Sequence, residues 1–268
     1  MVAVTEIASP VQRLGWLRLN RSTVISMASV LIFFAIWQVA PEWGLVNGTY
    51  TSQPTLVFKA AIEVFLTDDF LHHGYVSLAE FTLGFLLAFI VSIPLGMLLG
   101  TSQTARHLLD PPLMALYIAP TLVLLPIMII WLGIGMASKI AVVFLGAIFP
   151  IVVNTMAGMR EADEALIRMA RSFGARRMDI FQRILVPGAL PSILIGIRLG
   201  IGRGVLGVIV GELYVSQAGI GYQLVTYGSA MRIDRLLVYA LVVSVFGYAL
   251  TSFVRIMEDR VRNWRPQL

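Results

Sequence analysis

The sequence predicts an all-α, polytopic membrane protein with six spanning helices. Of its 268 residues 58% are hydrophobic and 13% are charged, against about a quarter charged in soluble chains. Mean hydropathy is +0.84. Long charge-free runs recur along the chain, on the scale of the roughly 20 residues that cross a bilayer core of about 30 Å. The composition also excludes several chemistries. There is no cysteine, hence no disulfide, thiolate metal site or cysteine nucleophile. His72 and His73 are adjacent and His107 is remote, so no histidine pair has the i, i+4 spacing of a helical metal site.

The first span is predicted over residues 23–40, after an N-terminal cytoplasmic tail over 1–22. Its apolar run, Val24 to Val39, ends near Trp37 and Trp43, rings suited to the membrane interface. The run exceeds a signal-peptide core and lacks a small-residue cleavage site, so it reads as a retained helix. In Gln53 to Gly74, Leu56, Val57, Ala60, Ala61, Glu63, Val64 and Phe65 outline a short amphipathic helix, expected to lie on the membrane surface. The second span begins near Ser77, carries Glu80, and stays uncharged from Phe81 to Ala105, with Pro94 and Gly96 as bend points. Pro111 to Ser138 is too long for one span, and Gly133 and Gly135 mark a turn. A third helix is therefore expected over about Leu113 to Leu132 and a fourth from Ile140 to about Ala157. The fifth runs from Leu190 to Leu213 and the sixth from Leu236 to Val254.

Of the 20 cations, 18 are arginine and two are Lys59 and Lys139. They lie between the apolar runs rather than beside stacking aromatics, so the pI near 9.8 reflects membrane topology and not nucleic-acid binding. With both termini in the cytoplasm, fourteen cations fall inside and four outside, and Arg198 and Arg203 lie within the fifth helix. This bias predicts an N-in, C-in topology. No G-x-x-x-x-G-K-[ST] loop is present, so the chain has no cofactor site for ATP and Mg²⁺, which would reside on a partner.

The inside loop over residues 160–191 differs from the others. Ala162, Ala165, Leu166, Met169, Ala170 and Phe173 form one helical stripe. Glu161, Asp163 and Glu164 occupy the first turn, Arg168 and Arg171 follow, and a Glu164 to Arg168 pair is expected. Gly174 is the expected stop. A second helix, about Met178 to Leu185, is expected to close at Pro187 and Pro191. Such a stripe either packs on the ends of its own spans or inserts into a groove on another protein.

Gly174, followed after nine residues by Ile184-Leu185-Val186-Pro187, resembles the loop signature E-A-A-x-x-x-G…I-x-L-P of membrane subunits of bacterial ATP-binding cassette importers. Arg168 stands in place of the glutamate, Met169 in place of the first alanine, and Val186 in place of leucine; Ala170 and Gly174 are kept. The segments Val76-Ser-Leu-Ala-Glu-Phe-Thr-Leu-Gly-Phe, Ile93-Pro-Leu-Gly, Pro187-Gly-Ala-Leu-Pro-Ser, Gly196-Ile-Arg-Leu-Gly and Gly219-Ile-Gly-Tyr222 are similar to permeases of the nitrate, sulfonate and taurine group. The resemblance covers about Gln53 to Arg260, a type-1 permease domain over residues 53–260. It implies an inner-membrane homodimer, two cytoplasmic ATP-binding subunits and a binding protein that delivers the solute. It also implies that Leu166, Arg168, Met169, Ala170, Phe173, Gly174, Ile184 and Pro187 form a coupling element toward the ATPase.

In the fifth helix Gly196, Gly200, Gly204, Gly207 and Gly211 share one face, where another helix can approach closely. Arg203 lies on or beside this face, and Arg198 points the other way, to snorkel or to meet the loop helices. A guanidinium in a span lines a pathway or is paired. Arg203 and Glu212 are the candidate pathway residues. The alternative for Arg203 is an ion pair with Glu80, or with Glu212 of a dimer mate. A proton-driven secondary transporter, the rival reading, would place carboxylates near the midplane and show an inverted repeat. Neither is visible. An enzyme would need a converging set of reactive groups, which is absent from the pattern.

Overall fold

The computed structural model describes residues 21–67, 69–119 and 121–262, and most of the expected tail over 1–22 lies outside these. Among the described residues every regular element is helical. Helix α1 spans Arg21–Glu42, α2 Gly48–Thr51, α3 Pro54–Thr67 and α4 Phe70–Thr101. They are followed by α5 Gln103–Ile118, α6 Leu125–Leu132, α7 Met136–Arg160, α8 Glu164–Ser172 and α9 Arg177–Ile180. Last come α10 Val186–Val215, α11 Ile220–Ser229 and α12 Ile233–Arg262.

Five of the expected six spans are helices long and apolar enough to cross a bilayer: α1, α4, α7, the run from α9 through α10, and α12. The third is broken. Its helix stops at Ile118, Ala119 is extended (φ −59, ψ 134), a 3-10 turn covers Thr121–Leu124, and α6 resumes with Pro126 in its first turn. The residue before a proline is pushed out of the helical region, and proline has no N–H to continue the ladder. An apolar stretch that is long enough for one helix is thus divided into α5 and α6.

Helix α7 is the centre of the bundle, packed between α4 and α10. Ala88 and Leu99 of α4 meet Ala147, Ile151 and Val152 of α7 in one cluster. Phe81, Val143, Ile201, Val205 and Val254 join α4, α7, α10 and α12 in another. Small residues permit this proximity. A Cβ on Gly84 would lie 2.6 Å from Val143 Cβ, one on Gly96 2.6 Å from Thr155 Cβ, and one on Gly158 2.6 Å from Ser192 Cβ. Apolar side chains such as Leu31, Phe33 and Ile36 are exposed on α1, as suits a helix facing lipid.

Helix α3 forms where the amphipathic pattern predicted it, but it is built into the fold instead of lying apart. Val57, Ala60 and Val64 are buried with Ile220, Val238 and Tyr239 of α11 and α12. The second loop helix also departs from expectation. Pro187 and Pro191 do not close it: a π-helical turn at Phe181–Leu185 carries α9 directly into α10. Val186 donates to Phe181 O, five residues back. This widened turn lets the chain pass Pro187, which cannot donate in the ordinary α pattern.

Gly84→Ala is expected to cost about 1–3 kcal/mol through overpacking, read as a lower melting temperature of the detergent-solubilised protein. Gly202→Ala, whose added carbon meets nothing within 4 Å, is the control; equal melting of the two variants would refute the close-approach account.

Candidate functional site

Two regions at opposite ends of the bundle gather the chemistry-bearing residues, and α10 joins them. At one end, α8 is built as the sequence implies. Asp163 caps it by accepting from Ala165 N–H at 2.7 Å. Arg168 Nη1 meets Glu164 Oε2 at 3.0 Å. Gly174 takes φ +79, with Gly174 N–H donating to Arg171 O and Ala175 N–H to Ala170 O, both at 3.0 Å. This is a Schellman ending that glycine adopts without a Cβ penalty. The stripe does not pack on its own spans: no residue of α8 is buried, Leu166 and Met169 are exposed, and Phe173 is 86% exposed. Farther along, Ile184 sits in the π turn and Pro187 in the first turn of α10.

Along α10 the glycines face α7. A Cβ on Gly196 would lie 3.1 Å from Ile151 Cα, one on Gly200 3.2 Å from Ala147 O, and one on Gly207 3.3 Å from Val142 O. At Gly204 the neighbour is Phe81, and at Gly211 it is Lys139. Arg198, expected to snorkel or to meet the loop helices, pairs with Glu258 of α12 at 3.3 Å and keeps its side chain 35% exposed. The alternative for Arg203, an ion pair with Glu80, is not formed within the protomer among the described residues, where Glu80 pairs with Lys139. The Arg203 guanidinium lies 5.1 Å from the centroid of the Tyr117 ring on α5, and the residue is exposed in the protomer. This leaves a cation on a spanning helix held by an aromatic face.

At the other end is a buried polar network that the sequence pattern did not assemble. His73, Ser77 and Glu80 follow one face of α4 and are all buried. Glu80 forms an ion pair with Lys139 of α7, the two side chains being 1% and 6% exposed. Lys139 Nζ also donates to Ser216 Oγ at 2.9 Å, and Ser216 donates to Ala218 O. Glu212, 1% exposed, accepts from Ser77 Oγ at 2.5 Å and from Gly221 N–H at 2.6 Å. Ser77 Oγ in turn accepts from Ile220 N–H at 2.8 Å. His73 Nδ1 accepts from Gly219 N–H at 3.0 Å, which fixes the imidazole as neutral, because an imidazolium has no acceptor. Glu212 therefore clamps the connection between α10 and α11. A polar recess of about 450 Å³, lined by Gly135, Lys139, Tyr214, Ser216 and Gln217, opens beside it. The available signal was the presence of ionisable residues inside apolar helices. Lys139 instead reads as an outside-loop cation because it closely follows Gly133 and Gly135.

A family model described as the binding-protein-dependent transport system inner membrane component matches residues 92–263. The chain belongs to that family. The permease is 32% identical over 254 residues to a putative aliphatic sulfonates transport permease of Bacillus subtilis, covering 95% of this chain and 90% of that one. It is 28% identical over 263 residues to the taurine transport permease of Escherichia coli, covering 96% of each. In structure it resembles a chain of a bacterial ATP-binding cassette transporter involved in import of the acidic polysaccharide alginate. The TM-score is 0.62 at 16% identity, over 88% of this chain and 94% of that one, a likeness of fold. The matched region takes in α8 and the whole of α10.

Gly219 has φ +115, and a Cβ there would collide with the Glu212 carboxyl. Gly219→Ala is expected to cost about 1–3 kcal/mol in backbone strain and to lower the melting temperature in bilayer nanodiscs. Unchanged melting would count against the clamp.

Proposed function

We propose that this permease is the membrane-spanning subunit of an ATP-binding cassette importer for a small anionic solute of the sulfonate, taurine or nitrate type. It works as a homodimer in a bacterial inner membrane, with both termini in the cytoplasm. Two cytoplasmic subunits hold ATP and Mg²⁺ and supply the energy, and a binding protein delivers the solute outside. The observation that carries this reading is the exposed apolar face of α8 in a chain belonging to a family of binding-protein-dependent permeases. Leu166, Met169 and Phe173 project from a short, well-capped helix, the form of a knob for a groove on a cytoplasmic partner.

Coupling follows from connectivity. The α8 segment meets α9 through the Gly174 turn, and α9 continues through the π turn into α10. Movement imposed on the loop by closure of the ATPase pair is passed to α10, which moves together with α7, in register along its glycine face, as the bundle exchanges inward-open and outward-open states. Arg203 gives the path a positive lining. It has no carboxylate partner among the described residues and is positioned by Tyr117, so its charge is available to an anion. The sulfonate and taurine permeases among the relatives favour an anionic solute.

The direct test is ATP-dependent, vanadate-sensitive uptake of taurine, an alkanesulfonate or nitrate by the reconstituted complex; ATP-independent uptake driven by a proton gradient would replace this reading with the secondary-transporter one. Phe173→Asp is expected to weaken copurification with the ATPase subunits at least tenfold and to disconnect hydrolysis from uptake, whereas unchanged binding and uptake would remove the loop from the coupling role. Arg203→Ala is expected to abolish uptake with dimer assembly intact, and normal uptake would exclude Arg203 from the path.

A further inference from the structure

The buried network contains an imbalance of charge. Glu80, Lys139 and Glu212 are 1%, 5% and 1% exposed, so two carboxyl groups share one ammonium in the interior. If both carboxylates were ionised, one negative charge would be left uncompensated, a costly arrangement in a low-dielectric site. Hydrogen bonding locates the missing compensation. Glu80 Oε1 is taken by Lys139, and the two oxygens of Glu212 accept from Ser77 and Gly221. Glu80 Oε2 is buried and receives no hydrogen bond from the described residues, and Ser77, one turn before Glu80 on the same buried face of α4, is bonded to Glu212 at 2.5 Å, which sets the two carboxyl groups side by side. Two acceptor-only carboxylates cannot bond each other, whereas a carboxylic acid and a carboxylate can.

We propose that Glu80 and Glu212 share one proton, and that the α10–α11 connection is thereby a proton-held clasp at this end of the bundle. Ser77 and the Gly221 amide hold Glu212 toward Glu80, Lys139 supplies the single positive charge, and the proton makes the set neutral. Among the described residues, the other titratable groups beside the cluster are His73 of α4, neutral through its bond to Gly219, Tyr222 of α11, whose ring lies 6.0 Å from that of His73, and Tyr214 of α10, which lines the recess with Lys139. The polar recess lined by Lys139 and Ser216 brings solvent to the edge of this cluster, while the two carboxyl groups themselves stay buried. Loss of the proton restores carboxylate repulsion across the helices that the clasp holds together. Opening of this end and proton release are then linked, because each favours the other. That the clasp faces the outside of the cell rests on the importer reading; the shared proton does not.

The test is infrared spectroscopy of the full-length chain in bilayer nanodiscs at neutral pH, following the carbonyl stretch of a protonated carboxylic acid. The wild-type protein is expected to show a band that is lost in Glu80→Gln and in Glu212→Gln, each of which leaves one carboxylate opposite Lys139. Lys139→Met removes the counter-charge, so a second proton is taken up and the band is expected to roughly double. This variant decides the case if a glutamine variant does not fold. Absence of the band in the wild type, its persistence in both glutamine variants, or an unchanged band in Lys139→Met would overturn the proposal. Because this readout requires neither ATP nor solute, its failure is distinguishable from failure of ATP-dependent uptake.

Discussion

In a bilayer, apolar surface gains little from leaving lipid for another helix, so association depends on contact at short range and on polar groups that have nowhere else to bond. Helix α7 meets that constraint on two sides. Gly84 and Gly96 of α4, and Gly196, Gly200 and Gly207 of α10, remove the side chains that would otherwise hold its backbone away. A glycine inside a helix costs about 1 kcal/mol relative to alanine, and α10 carries several. Contact with α7 has to offset that loss, and it can do so only if the helices keep the register that aligns each glycine with its neighbour.

The polar network uses the same geometry differently. Close approach of α4, α7 and α10 excludes water from Glu80, Lys139 and Glu212, and exclusion of water makes their arrangement consequential. Ser77 both donates to Glu212 and accepts from Ile220, so one hydroxyl ties α4 to the end of α10 and the start of α11. The other end of the bundle has the opposite character. The side chains of the Arg168 and Glu164 pair are 68% and 83% exposed, which makes it a modest local support, and Phe173 meets solvent until something covers it.

Much of this was legible from the chain because local rules governed it. The stop at Gly174, the Asp163-to-Arg171 charge order and the glycine stripe of α10 each depend on residues within a few turns. The amphipathic spacing in α3 gave the helix but not its location, since the partners of Val57 and Val64 come from α11 and α12, far along the chain. Proline punctuation failed in both directions. The stretch before Pro126, whose hydropathy reads as one span, is broken between α5 and α6, while Pro187 and Pro191 were expected to end a helix that instead continues through a wide turn. Arg203 was recognised as unusual, but its aromatic partner Tyr117 lies 86 residues earlier. Lys139 and Glu80 are 59 residues apart in sequence and share no pattern; only the packing of α4 on α7 makes them neighbours.

The π turn at Phe181–Leu185 has a mechanical implication. Had Pro187 broken the chain, the loop and the spanning helix would be separate bodies joined by a hinge. Instead Arg177–Tyr214 forms a single rod of 38 residues, about 57 Å at an α-helical rise. Over that length a tilt of about 5° moves the far end by roughly 5 Å, close to the pitch of one helical turn. The rod begins beside the exposed loop and ends two residues past Glu212. A tilt of a few degrees can therefore produce, at the other end, a displacement larger than the hydrogen bonds of 2.5 and 2.9 Å held there.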